Sequence, residues 1–368
     1  MKKFSNIMVI FGTRPEAIKV APVIKELEKR DGVNVIKVTT SQHREMLDQV
    51  LELFEIVPNF DLNIMKANQT LNHIVEKSMA GFQEIFTQIK PDLILVQGDT
   101  TSAFAGALAG FYENIPVGHI EAGLRTWNKF SPFPEEANRS MISKISQFNF
   151  APTEGNKKNL LEEHVAPDSI IVTGNTVIDA LFYILKRYPG YSFADQFRPN
   201  EHKLILVTAH RRENFGEPIK NICQALIEIS KKHKDVNIVY PVHLNSNIQK
   251  PVYSLLSEKE RINLLGPVNY LDLCSLMNKA YLVLTDSGGI QEEAPSLGKP
   301  VIVMRTETER PEAVDAGTVV VVGTKTEKII NKTEELLMKK EKYEQMAHAV
   351  NPYGDGKAAL RIADFLTQ

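Results

Sequence analysis

The sequence predicts an α/β protein of two doubly wound domains, each a mainly parallel sheet with helices on both faces. Three observations carry this. Short apolar runs alternate with helical patterns along the chain, which implies right-handed βαβ crossovers. The length, 368 residues, exceeds a typical single core, so two domains are expected. Polar, glycine-containing clusters follow the apolar runs directly, at the carboxyl ends of the predicted strands, where open parallel sheets bind ligands.

The elements follow in order. Ile7–Phe11 is a buried strand, and Gly12-Thr13-Arg14-Pro15-Glu16 is the turn that opens a helix to about Lys29. Val33–Thr39 is the second strand, and Gln42-His43-Arg44 opens a helix to about Leu53. A weak strand near Phe60–Ile64 precedes a helix from about Leu71 to Ile89. The strand Leu93–Gln97 carries the tip Gly98-Asp99-Thr100-Thr101 and leads into an Ala/Gly-rich helix, Ser102–Tyr112. Pro116–Ile120 is the next strand and ends at Glu121-Ala122-Gly123-Leu124-Arg125. Residues 126–135 form a loop, and a helix begins near Glu135. Strands Phe148–Ala151 and Ile170–Thr173 and a helix Asn175–Arg187 complete a first domain over 1–190.

Residues 188–202 are polar, aromatic and rich in Pro and Gly, the composition of a linker. A second βαβ series then spans 200–350. Its strands are Leu204–Thr208, Val236–Pro241, Ile262–Leu265, Tyr281–Thr285, Pro300–Met304 and Val319–Val322. Its helices start near Pro218, at Tyr270–Lys279 and at Ile290–Leu297, the last opened by the turn Asp286-Ser287-Gly288-Gly289 and stopped by Gly298.

Composition narrows the function. The chain is 43% hydrophobic and 24% charged with a net charge of -2, which shows no nucleic-acid footprint and no polybasic membrane patch. No apolar run reaches the length of a membrane span, and the N-terminal apolar run is too short for a signal peptide. The two cysteines, Cys223 and Cys274, lie in apolar helical patterns with no zinc spacing, consistent with a reducing cytoplasm. A Gly-x-Gly-x-x-Gly fingerprint, a P-loop and an HExxH motif are all absent, so no nicotinamide cofactor, ATP hydrolysis or metal is indicated.

The strand tips carry the chemistry. Each has an ordinary structural use alone: Asp99 as a helix cap, Glu121 as a turn residue, His210 as a satisfied core histidine, Arg211-Arg212-Glu213 as a solvated run. Five tips at equivalent places, Gly12–Arg14, Gly98–Thr100, His119–Gly123, Ala209–Glu213 and Asp286–Gly289, are hard to explain as caps. Acids collect on the first domain (Asp99, Glu121, Glu135) and an anion site on the second, made of the Ser287-Gly288-Gly289 helix start, His210 and Arg310. Arg14 and Lys19 add positive charge from the first domain, and Glu293 can accept from ribose hydroxyls. That set suits cleavage of an anomeric C–O bond with a nucleoside diphosphate as leaving group.

With Phe11–Lys19, Gln97–Thr100, His119–Thr126, Phe133–Arg139, His210–Asn214, Thr285–Gly289, Gln291–Glu293, Thr308–Ala313 and Asn351–Gly356 in this order, the chain resembles the non-hydrolysing bacterial UDP-N-acetylglucosamine 2-epimerases. The resemblance spans nearly the whole chain. It implies a GT-B fold, two Rossmann-like domains facing a cleft, with residues 351–368 as a helix packing back on the first domain. It implies interconversion of UDP-GlcNAc and UDP-ManNAc without a cofactor, through UDP elimination and a 2-acetamidoglucal intermediate, in a cytoplasmic homodimer that supplies ManNAc for surface polysaccharide or teichoic acid. The positions matching the family's catalytic residues are Asp99, Glu121, Glu135 and His210. Those matching UDP contacts are Arg14, Lys19, Ser287, Gly288, Gly289, Glu293 and Arg310. Gln42, His43, Arg211 and His243 lie in segments similar to an activating second UDP-GlcNAc site, although regulated members carry Arg where this chain has Asn68 and Gln where it has Glu45. A hydrolysing relative releasing ManNAc and UDP, a GT-B glycosyltransferase and a pure nucleotide-sugar binding module share parts of this pattern.

Overall fold

A computed structural model describes residues 4–42 and 44–368. The chain divides into two compact units, Met1–Tyr183 with Tyr353–Gln368 and Ile184–Pro352.

Unit 1 alternates strand and helix: β1 Asn6–Phe11, α1 Arg14–Leu27, β2 Asn34–Thr39, α2 Glu45–Leu53, β3 Phe60–Asp61, α3 Leu71–Gln88, β4 Leu93–Gln97, α4 Thr101–Tyr112, β5 Val117–Ile120, α5 Glu135–Ile145, β6 Phe148–Ala151, α6 Glu154–Glu162, β7 Ile170–Val172 and α7 Thr176–Arg187. Among the described residues its sheet is seven-stranded, in the order β3-β2-β1-β4-β5-β6-β7, and its pairs are parallel. Strands β1 and β4 are apolar on both faces because helices cover both. The small residues of α4, Ala103 to Ala109, let it lie close on Met8, Ile10, Ile94 and Val96.

Unit 2 repeats the plan: β8 Lys203–Thr208, α8 Glu217–Lys232, β9 Val236–Pro241, α9 Ser246–Leu256, β10 Ile262–Leu265, α10 Tyr270–Lys279, β11 Leu282–Thr285, α11 Gly288–Glu293, β12 Val301–Val303, α12 Pro311–Asp315, β13 Val319–Val321, α13 Thr326–Met338 and α14 Lys340–Ala347. Its parallel sheet runs β10-β9-β8-β11-β12-β13. The last helix, α15 Ala358–Thr367, belongs to unit 1, where Asp179 of α7 accepts hydrogen bonds from the Ala358 and Ala359 amides at 3.2 and 2.9 Å.

The structure departs from the sequence expectations in four places. Helix α11 begins at Gly288 rather than Ile290 and passes into a 3-10 turn at Ala294–Leu297. The reason is Pro295, which has no N–H to continue the helical ladder. Helices α6, α9 and α12 were not expected. In α6 only Asn156 and Leu160 are buried, too few to show a periodic face, and α9 carries Pro251 inside it. Residues 188–202 are not a free linker. They form 3-10 turns held to unit 2 by the bond from the Ala194 amide to Ser275 Oγ (3.2 Å) and from Asn237 to the Phe197 carbonyl (2.9 Å). The division between the units falls instead inside α7.

Candidate active site

Each sheet reverses its winding at one point, between β1 and β4 in unit 1 and between β8 and β11 in unit 2. Crossovers leave in opposite directions there, so the carboxyl ends of those strands flank an opening. The polar clusters stand at these points: Gly12–Arg14 after β1, Asp99 after β4, Glu121 after the neighbouring β5, His210 and Arg211 after β8, and Ser287 after β11.

Glu121 is the most firmly held acid in unit 1. Lys19 Nζ donates to both of its oxygens at 2.5 and 2.7 Å, Gln97 Nε2 at 2.5 Å and Asn175 Nδ2 at 3.1 Å. Its backbone sits in the left-handed region at φ 68, a cost of roughly 1–3 kcal/mol for a non-glycine residue. Asp99 accepts from Arg139 Nε at 3.0 Å and Nη2 at 2.5 Å, while Asn138 Nδ2 holds its carbonyl at 2.9 Å. Burial raises the Asp99 pKa above the ordinary range. The Arg139 charge opposes this and Glu121 adds to it. Asp99 is no helix cap, because Thr100 caps α4 through the Ala103 amide at 3.0 Å.

Glu135 and Glu136 are separated by role. Buried Glu136 accepts the Thr126 and Trp127 amides at 3.0 Å each and pairs with Arg139 at 3.2 Å. It shapes the loop. Glu135, the first residue of α5, is half-buried, and its side chain makes no hydrogen bond or ion pair among the described residues. Arg14 is likewise half-buried without a side-chain partner among the described residues, and burial lowers its pKa. A guanidinium in that position lacks an anion to complete it.

In unit 2, the fully buried Asp286 carboxylate caps neither α11 nor any other helix. Its Oδ2 accepts the His210 amide at 2.8 Å, the Arg211 amide at 2.9 Å and Asn214 Nδ2 at 2.8 Å, tying the β8 turn to the β11 turn. His210 Nδ1 stands 3.4 Å from Asp286 Oδ1, and the His210 ring stacks on His243 with centroids 5.5 Å apart. Arg310 is buried against Glu292 through its Nε, with a longer contact of 3.9 Å from Nη1 to Glu309. A Cβ at Gly288 would lie 3.5 Å from Arg310 Nη2 and 3.6 Å from Arg211 Nη2, so two guanidinium groups flank that glycine. Glu293 is buried and accepts from Tyr270 Oη at 3.0 Å. Ser287 precedes α11 without a side-chain cap bond, and Gly289 stands beside Glu293.

The expected second-ligand residues fall in both units. Gln42 of unit 1 accepts from Ser102 Oγ at 3.0 Å, and Arg211 and His243 belong to unit 2. His43 lies outside the described residues. The sequence assigns no site role to Gln97, Arg139, Asn175, Asp286 and Tyr270, which hold the candidate residues. Gln97, Arg139 and Asp286 stand inside the segments that carry the resemblance, and Arg139 also follows Glu136 by three residues on one helix. Among the described residues, no group of three or more His, Cys, Asp or Glu is placed to hold a metal ion, and no helix is long and apolar enough to cross a membrane.

Comparison with known proteins bears on this arrangement. The family model described as UDP-N-acetylglucosamine 2-epimerase matches residues 25–367. The UDP-N-acetylglucosamine 2-epimerase of Bacillus subtilis is 50% identical over 366 residues, covering 100% of this chain and 96% of the relative. A crystal structure of UDP-GlcNAc 2-epimerase from Neisseria meningitidis bound to UDP-GlcNAc superposes with a TM-score of 0.90 at 52% identity, covering 98% of this chain and 99% of that one. The Methanocaldococcus jannaschii UDP-GlcNAc 2-epimerase in complex with UDP-GlcNAc and UDP gives 0.82 at 36% identity, with 98% and 99% covered.

Proposed function

The chain belongs to the UDP-N-acetylglucosamine 2-epimerase family, and from that premise we propose that it interconverts UDP-GlcNAc and UDP-ManNAc by the non-hydrolysing route. The sugar C2–H is not next to a carbonyl and is not acidic by itself. The C1–O bond therefore breaks first, with its electron pair leaving on UDP. Loss of the C2 proton then gives 2-acetamidoglucal. A proton returns to the opposite face of C2, and UDP adds back to C1.

In this reading Asp99, Glu121, Glu135 and His210 serve the proton transfers and the departing diphosphate. UDP is held by Arg14, Lys19, Ser287, Gly288, Gly289, Glu293 and Arg310. The observation that carries it is Arg14, a half-buried guanidinium at a strand tip that has no protein anion among the described residues and suits a phosphate. The partly buried carboxylates at the neighbouring tips support it. No redox cofactor or metal enters the scheme. Gln42, His43, Arg211 and His243 are, in the same proposal, the positions for a second UDP-GlcNAc, which a sigmoidal dependence of rate on substrate would support and a hyperbolic one would remove, as the departures at Glu45 and Asn68 favour. By resemblance, the enzyme is a cytoplasmic homodimer feeding ManNAc to surface polysaccharide or teichoic acid.

The test is incubation with UDP-GlcNAc in D₂O without added cofactor, followed by proton NMR. Deuterium at C2 together with UDP-ManNAc is expected. Free ManNAc with UDP would move the assignment to a hydrolysing enzyme, and an unchanged sugar would remove the epimerase assignment.

A further inference from the structure

We propose that Glu16 is a positioning residue for this reaction, a latch that holds the Arg14 turn after β1 to the Asp99–Thr100 turn after β4. The inference rests on the roles given above to Arg14 and Asp99.

Glu16 stands in the first turn of α1, two residues after Arg14, and is 1% exposed. Its Oε2 accepts the Gly12 amide at 3.1 Å, and its Oε1 accepts the Thr100 hydroxyl at 2.6 Å. The Thr100 oxygen also accepts the Ala103 amide at 3.0 Å, so its single proton is left for Glu16. Asp99 precedes Thr100, and Asn138 holds the Asp99 carbonyl from the α5 side. Glu16 therefore completes a frame around Asp99 whose other member is already in place. The Gly12 side of the latch is stiff, since a Cβ there would lie 2.0 Å from Thr40 Oγ1 and 2.7 Å from Ser102 Oγ.

A plain structural use exists. Thr13-Arg14-Pro15-Glu16 has the spacing of a capping box, in which the glutamate turns back to amides before the helix. That accounts for the bond to Gly12. It does not account for the bond to Thr100, 84 residues away on another strand tip, or for a carboxylate placed out of water. Burial pushes the Glu16 pKa up to about 7 against the lowering effect of its Thr100 and backbone hydrogen bonds. A capping box works at an exposed position without that cost. The buried placement is explained by joining two functional turns.

The experiment is a double-mutant cycle on the full chain, with wild type, Glu16→Ala, Thr100→Val and the double variant compared for kcat, KM and UDP affinity. Glu16→Ala is expected to lower kcat/KM about tenfold, the effect of losing hydrogen bonds to a charged group. It should both weaken UDP binding (through Arg14) and lower kcat (through Asp99). The double variant should be no worse than the poorer single variant, because both cut one link. Glu16→Gln keeps an acceptor for Gly12 but meets the Thr100 hydroxyl with a donor unless that hydroxyl turns, so it should recover only part of the rate. Additive losses, or Glu16→Ala within twofold of wild type with only its melting temperature changed, would overturn the latch. Should Glu16→Ala fail to fold, Thr100→Val against Thr100→Ser decides. Thr100→Val must lose kcat while Thr100→Ser keeps it, and equal rates refute the proposal. Inert wild-type protein would instead refute the epimerase assignment.

Discussion

His119 shows how a buried residue holds the turn that carries Asp99. Its imidazole is fully buried, and its Nε2 lies 2.7 Å from the Gly98 carbonyl, directly before Asp99. Burial lowers its pKa from 6.5 to about 4, against the raising effect of the Gly98 bond. A folded-state pKa below the unfolded value means stability that is present above pH 6.5 and lost as pH falls toward 4. The loss is about 3 kcal/mol over that window. Urea unfolding between pH 7.5 and 4.5, with and without His119→Gln in a Glu16→Gln background, should show this limb only where His119 is present. Glu16 acts in the opposite sense. Its pKa is raised from 4.5 to about 7, so its contribution is lost as pH rises between those values. The His119 limb is therefore best read in a Glu16→Gln background. Arg14 gives a second test at this scale. Because its guanidinium has no protein partner among the described residues, Arg14→Met should leave the melting temperature unchanged or higher, while UDP affinity by calorimetry falls about tenfold or more.

Elements set the site through the turns that follow their strands. After β5, the left-handed Glu121 is followed by Gly123 at φ 91, whose carbonyl accepts from Asn159 Nδ2 at 3.0 Å. A Cβ at Gly123 would stand 2.3 Å from the Asn156 carbonyl oxygen of α6, and backbone cannot move aside cheaply. Gly123→Ala should therefore cost about 2 kcal/mol or more by denaturant unfolding, with loss of activity as the Glu121 turn shifts. In unit 2 the equivalent device is Asp286, which accepts three donors from the β8 turn. Asp286→Ala leaves the His210 and Arg211 amides and the buried Asn214 side chain without this acceptor. It should destabilise unit 2 by about 2–5 kcal/mol and abolish detectable UDP binding, read by thermal unfolding and calorimetry.

At the scale of the whole molecule, the chain leaves unit 1 in the middle of α7 and re-enters it after Pro352. Helix α15 is integral to unit 1. Phe365 packs edge-on against Phe148 and Phe150, Leu366 is 1% exposed, and the Phe4 amide donates to the Leu366 carbonyl at 3.3 Å. Leu366→Ala should cost about 2–5 kcal/mol, the range for a buried leucine. Faster amide hydrogen exchange should then appear over Met1–Tyr183 and Tyr353–Gln368 while Ile184–Pro352 keeps its protection. Uniform loss of protection in both units would contradict this division.

Local patterning in the sequence determined the strand–helix alternation, the polar strand tips and the family resemblance. Strands such as Leu93–Gln97 and Val236–Pro241 are legible because a strand buried on both faces must be apolar throughout. Glycines and acids mark the tips because backbone approach and charge need those residue types. Helix α6 was not legible, since its few buried positions form no stripe. Nor was the true division of the chain, because folded 3-10 turns and linkers share a composition. Only the tertiary structure separated Glu135 from Glu136, gave Asp286 to the opposite turn and joined Glu16 to Thr100. The last two of those choices are hydrogen bonds between residues more than 70 apart in sequence, and Glu136 is chosen over its neighbour by amides of the preceding loop. Which carboxylate is left for substrate depends on which donors the fold brings to its neighbours.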